Sequence, residues 1–502
     1  MARFIMANRR AGLFTDKAKL SSRNALNVSY QRQFAASSDL VNDWAGKKET
    51  SRRTIVLDIE PQEVSAKLNQ LPPEVLIEPE ILHYPETALP LDLARMRQQA
   101  RLRSIKTGSG SVFTFTVRGA GKPLVGAEVV LYLRGSYGMS NTIRDVTDEN
   151  GSVHFDLSSF WQAAAAVISP VGGFWRHIVR GPKNGDIITL RKLPSTGYTA
   201  WWHRLHGVNS HQATRGQGIK VGVADTGLGP HPNLIHVYSQ GAFIDGAFDA
   251  NAGADVDSHG THVAGTIGAR PSGSGELAGL APGADLFTVR VFPPDSGANQ
   301  GDIANAIDHL SSINECDLIN LSLGSPQGSA IEHDAIIDAM ERGTLCVCAA
   351  ANDGVEPVNY PAKFPETLAI SAIGLNGWGP DGSIAALNYP DEPEKFGNDG
   401  YFLASFSNFG PSVSGAGGGV GIISTVPERY GHIAPYAVMD GTSMASPAAC
   451  GAIAAMLARD PQYLSMPRDI MRAERARTLF RASALDLGLA AMYQGRGAPQ
   501  AT

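Results

Sequence analysis

Three styles of hydrophobic patterning succeed one another along the chain. From about residue 197 onward, nearly continuous apolar runs alternate with Ala-rich stretches of helical spacing. The runs at 219–224, 285–291, 318–323, 345–350 and 368–373 read as strands buried on both faces. Helical spacing falls between them, at 260–269, 303–314 and 330–342. Strands covered by helices on both sides predict a doubly wound, parallel α/β sheet. In such sheets, sites form at the carboxyl ends of the strands.

The segment 108–194 changes period. Val112-Phe-Thr-Phe-Thr-Val117 and Val153-His-Phe-Asp-Leu157 alternate apolar and polar residues, with a turn signal at Asp148-Glu-Asn-Gly151. Short alternating strands and frequent turns predict a small β-sandwich. Before it, 51–107 predicts a small α+β unit and a linker. A strand at 53–59 is followed by a helix opening at Pro61, an extended run at 75–82, and a linker with a short Arg-rich helix within 85–108. Residues 1–50 show only weak periodicity. Through residue 55 the chain has 11 Lys or Arg against 4 Asp or Glu. This stretch is expected to be a loosely ordered basic leader. The domain reading is therefore 1–50, 51–107, 108–194 and 195–502.

Composition narrows the function. With 502 residues, 43% of them hydrophobic, the chain can bury full cores. Its formal charge of −6 argues against general binding to nucleic acid or to an anionic membrane surface. No apolar run is long enough to span a bilayer. Cys316, Cys346, Cys348 and Cys450 are too sparse for a disulfide scaffold, and buried thiols are expected. The first 13 residues lack the apolar core of a secretion signal, so a cytoplasmic location is the expectation.

The chemistry sits at the predicted element ends. Asp225 closes the first buried strand. His259 stands where a helix begins, in Asp257-Ser-His-Gly-Thr-His-Val-Ala-Gly265. Ser443 precedes an Ala-rich helical stretch, in Asp440-Gly-Thr-Ser-Met-Ala-Ser-Pro447. A serine hydroxyl is a weak nucleophile at neutral pH. It needs an imidazole to take its proton and a carboxylate to orient that imidazole. A helix N-terminus beside the serine also favours a developing oxyanion. An aspartic-peptidase half-site at Asp225-Thr-Gly227 and a metal pair of His259 with His262 are the competing readings, and neither is expected. His262 reads better as a packed structural histidine.

From about residue 197 onward the chain resembles the subtilisin-like (subtilase) serine peptidases. The resemblance rests on Asp225-Thr-Gly227, His259-Gly-Thr-His-Val-Ala-Gly-Thr266, Ala349-Ala-Ala-Asn352 and Gly441-Thr-Ser-Met-Ala-Ser-Pro447, in the family's order. It implies that Asp225 orients the imidazole, His259 is general base and then acid, and Ser443 attacks the scissile carbonyl. It also implies that Asn352 donates to the oxyanion, together with the Ser443 main-chain N–H. Ser322, Leu323 and Gly324 match the segment that pairs with an extended substrate backbone. Ala351 stands where many relatives have Gly, beside the primary specificity pocket. The expected activity is endopeptidase hydrolysis through an acyl-enzyme, with protein or peptide substrates and no cofactor.

Other features refine that expectation. Asn233 stands where relatives often place a calcium-binding Asp, and the loop 269–277 lacks the family's Asn-rich calcium loop. The usual strong calcium site is therefore not expected, and a weaker site elsewhere stays open. Residues 375–402 read as an insertion. The acids Asp245, Asp249, Asp255 and Asp257, with Asp353 and Glu356, read first as solvated surface acids, and their alternative role is to favour basic residues in the substrate. The 51–82 unit resembles the subtilase inhibitory propeptide, so a segment near it is expected to block the cleft. The 108–194 segment resembles carboxypeptidase regulatory-like, transthyretin-like sandwiches through Pro123-Leu-Val-Gly-Ala127 and Thr147-Asp-Glu-Asn-Gly-Ser-Val153. Two fates follow: late cleavage near 193–200, or an N-terminal region retained as a scaffold. A dedicated protein partner chosen by the sandwich and the basic leader is the rival to a broad protease.

Overall fold

The computed structural model describes residues 1–88, 93, 111–429, 431–432 and 435–502. The Arg-rich helix expected within 85–108 lies largely outside the described residues.

The central sheet runs Ala247–Asp249, Tyr238–Ile244, Asp285–Arg290, Lys220–Asp225, Leu318–Leu321, Leu345–Ala349, Leu368–Leu375 in spatial order. Neighbours from Tyr238–Ile244 to Leu368–Leu375 pair in parallel, and antiparallel strands appear only toward the edges. Side chains alternate between two cores. Leu345 and Val347 face one, with the helices His259–Gly268 and Thr442–Leu457. Cys346 and Cys348 face the other, with the helices Gln300–Ser312 and Ala330–Glu341. Covering both faces is what makes these strands read as continuous apolar runs. All four cysteines are free and buried.

The basic N-terminal stretch is not a loose leader. Strands β1 (Ala2–Asn8), β2 (Ser38–Trp44), β3 (Thr54–Ile59) and β4 (Val75–Pro79) form an antiparallel sheet ordered β2–β3–β1–β4. The first strand of the chain is therefore central, between β3 and β4. Its alternation explains why: Phe4 and Met6 pack on the unit's own helix Asp16–Ser29 beside Leu26, while Ile5 and Ala7 pack on the α/β core. Two of its arginines are not solvated either. Arg10 and Arg52 are buried, and they enter a cluster of carboxylates on the helices Gln300–Ser312 and Ala330–Glu341. Arg52 lies 2.7 Å from Asp334, and Arg10 lies 2.9 Å from Asp308. Composition suggested disorder because the partners of these cations lie far along the chain.

Residues 111–190 form two facing sheets with a common apolar core that includes Phe115, Val129, Leu131, Phe155 and Ile168. The sandwich docks on the expected insertion. Ile178 N–H donates to Gly382 O at 3.0 Å, and the Trp175 and Trp378 rings lie 5.7 Å apart, edge to face. No described helix is long and apolar enough to cross a membrane.

Candidate active site

The site is built at the carboxyl ends of the central strands. Asp225 is the last residue of Lys220–Asp225, Ser322 follows Leu318–Leu321, and Asn352 lies just beyond Leu345–Ala349. Two helices bring the rest: His259 opens His259–Gly268, and Ser443 lies in the first turn of Thr442–Leu457. The first of these junctions is set backbone against backbone. A Cβ on Gly260 would lie 2.2 Å from Gly227 O, so this approach requires glycine at 260, while Gly227, at φ +116°, has Ala254 O 2.5 Å from where its own Cβ would lie. Asp255 ties the junction together. Its carboxylate accepts N–H bonds from Asp257, Ser258 and Thr261 at the helix entry, and hydroxyl bonds from Thr226 and Thr261. Asp255 is therefore neither a solvated acid nor a substrate-facing one. The Asp-x-x-x-His spacing before the helix was the available signal of its capping role.

Asp225 and His259 are joined: Asp225 Oδ1 lies 2.7 Å from His259 Nδ1, and both residues are about 1% exposed. Burial opposes charge on His259, but Asp225, and then Asp257 and Asp255, outweigh it and raise its pKa above the ordinary value. Ser443 is near but not hydrogen-bonded to the imidazole. Its Oγ donates to Ser322 O at 2.9 Å, and His259 Nε2 has no hydrogen-bond partner among the described residues. Attack requires Oγ to exchange Ser322 O for Nε2, a change of rotamer. Asn352 Oδ1 accepts from Thr442 N–H at 2.9 Å and from the Thr442 hydroxyl at 3.0 Å. That fixes the amide and leaves its buried Nδ2–H₂ group without a partner among the described residues, as an oxyanion donor requires. Ala351 adopts φ +96°, a conformation where glycine is normally preferred, and is held by bonds to Thr442 and Asn408. His262 is buried, donates from Nε2 to Ile422 O at 3.0 Å, and is driven neutral chiefly by burial, its pKa pushed down to about 3.

The cleft is filled by the chain itself. After β4, strand β5 (Leu82–Pro85) pairs antiparallel with Leu323–Gly324 on one side and with Ala298–Asn299 on the other. Glu86 N–H donates to Ser322 O at 3.3 Å, Glu86 O accepts the Ser443 N–H at 3.3 Å, and Ala88 N–H donates to Asp440 O at 2.7 Å. A Cβ on Gly441 would lie 2.2 Å from Glu86 O, and one on Gly324 would lie 2.5 Å from Glu86 Oε1. Those two glycines leave room for the carbonyl and the side chain of residue 86. Burial, and then Asp353, push the Glu86 carboxyl up to about 8, against smaller opposing effects of His259, the Asn352 N–H and Asn359. The segment expected to block the cleft is thus 82–88. The bond presented to Ser443 joins Glu86 to Thr87, not residues near 193–200, which are tied elsewhere: Leu193 N–H bonds Gly173 O, and Tyr198 O accepts from Ala278.

The remaining acids have other tasks. Asp245 pairs with Arg3 at 2.9 Å, and Asp249 accepts the Asn251 N–H. A second Asp-Ser-Gly stands at 295–297, but Asp295 pairs with Arg144 of the sandwich and does not approach Asp225's partner. An aspartic dyad is thereby ruled out. Asn233 donates to Glu276 at 2.7 Å and to Arg270 O, and accepts from Tyr436. Its amide is consumed in pinning the 270–276 loop and does not fit a calcium ligand set. Among the described residues no cluster of three or more His, Cys, Asp or Glu is arranged to hold a metal.

An acid at a strand end, an imidazole and a serine at helix starts, and a prepared oxyanion donor are the parts of a serine hydrolase site. The chain belongs to the subtilase family, whose profile matches residues 216–497. Subtilisin BL of Lederbergia lenta is 34% identical over 248 residues, covering 49% of this chain and 79% of that protein. The minor extracellular protease Epr of Bacillus subtilis is 33% identical over 287 residues, covering 56% of this chain and 37% of that one. The thermostable alkaline protease of Halalkalibacterium halodurans is 32% identical over 285 residues, 56% and 67% of the two chains. The chain thus spans little more than a third of the length of one such relative.

Proposed function

We propose that the chain is a serine endopeptidase precursor, held shut by its own N-terminal unit, and that the Glu86–Thr87 peptide bond is its first substrate. The observation that carries this is the Glu86 carbonyl, which accepts the Ser443 N–H while β5 is paired on both sides. The step is acyl transfer. Ser443 Oγ attacks the Glu86 carbonyl as His259 takes its proton, and Ser443 N–H with Asn352 stabilises the oxyanion. The protonated His259 then gives its proton to the Thr87 nitrogen, and water later releases the acyl group.

Cleavage there leaves the sandwich on the mature chain. Selection of a dedicated partner rests on the sandwich, because it stays with the enzyme after this cut, whereas Arg10 and Arg52 of the N-terminal unit are buried against the enzyme. We place the reaction in the cytoplasm without a cofactor. Four free thiols favour a reducing compartment, and the triad chemistry needs no metal. Intact mass and N-terminal sequencing, after incubation with a fluorophosphonate, test the main reading. The expected result is a labelled fragment beginning at Thr87, with Ser443→Ala unlabelled and uncut. A labelled but intact wild-type chain would refute self-cleavage.

A further inference from the structure

The helix Ala330–Glu341 begins with Ser329-x-x-Glu332, a sequence that ordinarily forms a reciprocal capping box. Half of it is made: Ser329 Oγ accepts the Glu332 N–H at 3.1 Å. The return bond is not, because both Glu332 carboxylate oxygens lack hydrogen-bond partners among the described residues. Glu78 of the N-terminal unit reaches the same helix start instead, at Ser329 Oγ and Ala330 N–H. Glu332 is fully buried, and an unpaired carboxylate is costly there. Among the described residues the salt bridge it forms is with His83, also fully buried, whose Nε2 lies 3.2 Å from Glu332 Oε2. Both His83 ring nitrogens lack any other partner among the described residues. His83 lies in β5, three residues before Glu86, where its main chain pairs with Ala298.

The structure assigns Glu332 as a specificity-determining residue that selects histidine at the third position before the residue whose carbonyl is attacked. This rests on the reading that 82–87 binds as a substrate. The carboxylate needs a donor from the substrate, and an imidazole is of the right length to reach it from the β5 main chain. An aliphatic side chain leaves the carboxylate buried and unpaired, and an acidic one adds repulsion.

The test is a double-mutant cycle in the full-length chain, timing the appearance of the fragment that begins at Thr87. His83→Leu and Glu332→Leu are each expected to slow that cut about tenfold or more, and the double variant to recover most of the rate. A double variant as slow as the product of the two single effects overturns the proposal. Fluorophosphonate labelling of Ser443 in each variant shows that the site is folded. With mature enzyme, quenched peptides carrying His, Leu or Glu before Tyr-Pro-Glu-Thr are expected to rank in that order, and Glu332→Leu to prefer Leu. Equal turnover of the three by wild type also overturns it. Absence of any Ser443-dependent cut between Glu86 and Thr87 instead defeats the underlying substrate reading, and this assignment with it.

Discussion

Glu86 gives the self-blocked state a pH dependence whose sign is fixed by the structure. Its carboxyl moves from an ordinary 4.5 to about 8, because burial and Asp353 disfavour the anion in the cleft. A raised carboxyl pKa means that docking of 82–88 is strongest when Glu86 is neutral. It weakens as pH climbs from about 4.5 to about 8 and is flat beyond. The full shift corresponds to about 5 kcal/mol. Glu86 is only part-buried as a residue, and solvent screening reduces the effect to roughly half, about 2–3 kcal/mol. In a Ser443→Ala background the bond stays whole, and hydrogen exchange of the 82–88 segment reports its opening. The Ala88 amide, 2.7 Å from Asp440 O, should lose about 10- to 40-fold in protection factor between pH 5 and pH 8, after correction for intrinsic exchange. Glu86→Gln keeps the shape and removes the charge, so its protection should be nearly flat. Asp440, pushed up to about 6, titrates in this range as well, and His259 is held above its ordinary value by Asp225. They are common to both variants, so the difference isolates Glu86. Equal loss of protection in the two variants would refute the argument.

Three further outcomes follow from the same geometry. Asn352→Ala should lower kcat about 10²–10³-fold with little change in KM, since its free N–H group serves the oxyanion alone. Asp225→Asn should lower kcat by on the order of 10⁴ and move the acid limb of kcat/KM downward from its wild-type position above 6.5, because the charge holding His259 up is gone. Arg52→Ala leaves Asp334 and Asp338 facing a buried gap, costs about 3–5 kcal/mol of docking, and should make cleaved residues 1–86 dissociate in gel filtration at concentrations where the wild-type fragment stays bound.

The catalytic residues were legible because their motifs are local: four short strings carry Asp225, His259, Asn352 and Ser443, and continuous apolar runs reveal strands covered on both faces. What was not legible depends on distant partners. Arg52 reads as one more exposed cation until Asp334, 282 residues away, is brought against it. β1 lacks a clean alternation because both of its faces are buried, one within its own unit and one on the enzyme. Leu82–Pro85 is too short to be identified as a strand at all, and its register comes from Leu323, Gly324 and Ala298. Asp255 was read by charge, whereas its role is set by which N–H groups the helix entry leaves unsatisfied.

The two units preceding the enzyme are held by different physics, and that difference decides what self-cleavage releases. The N-terminal unit docks partly through Ile5, Ala7 and Val56, but its centre is a buried ion cluster of Arg10 and Arg52 with Asp308, Asp334 and Asp338. Such clusters come close to balance against hydration of the separated charges, so they fix geometry more than they add affinity. While the chain is intact, the covalent link makes β5 an intramolecular ligand at high effective concentration, and near-balance suffices. Cutting after Glu86 would remove that link, leaving the ion cluster and the apolar contacts alone to hold the unit. The sandwich meets the enzyme instead through apolar surface, with Tyr132, Val167 and Ile178 packed on Ile384, and Trp175 on Trp378. Nothing in that contact changes when one peptide bond is broken, and the sandwich remains in the same chain as the enzyme. A single cut thus separates a removable inhibitor from a permanent accessory domain.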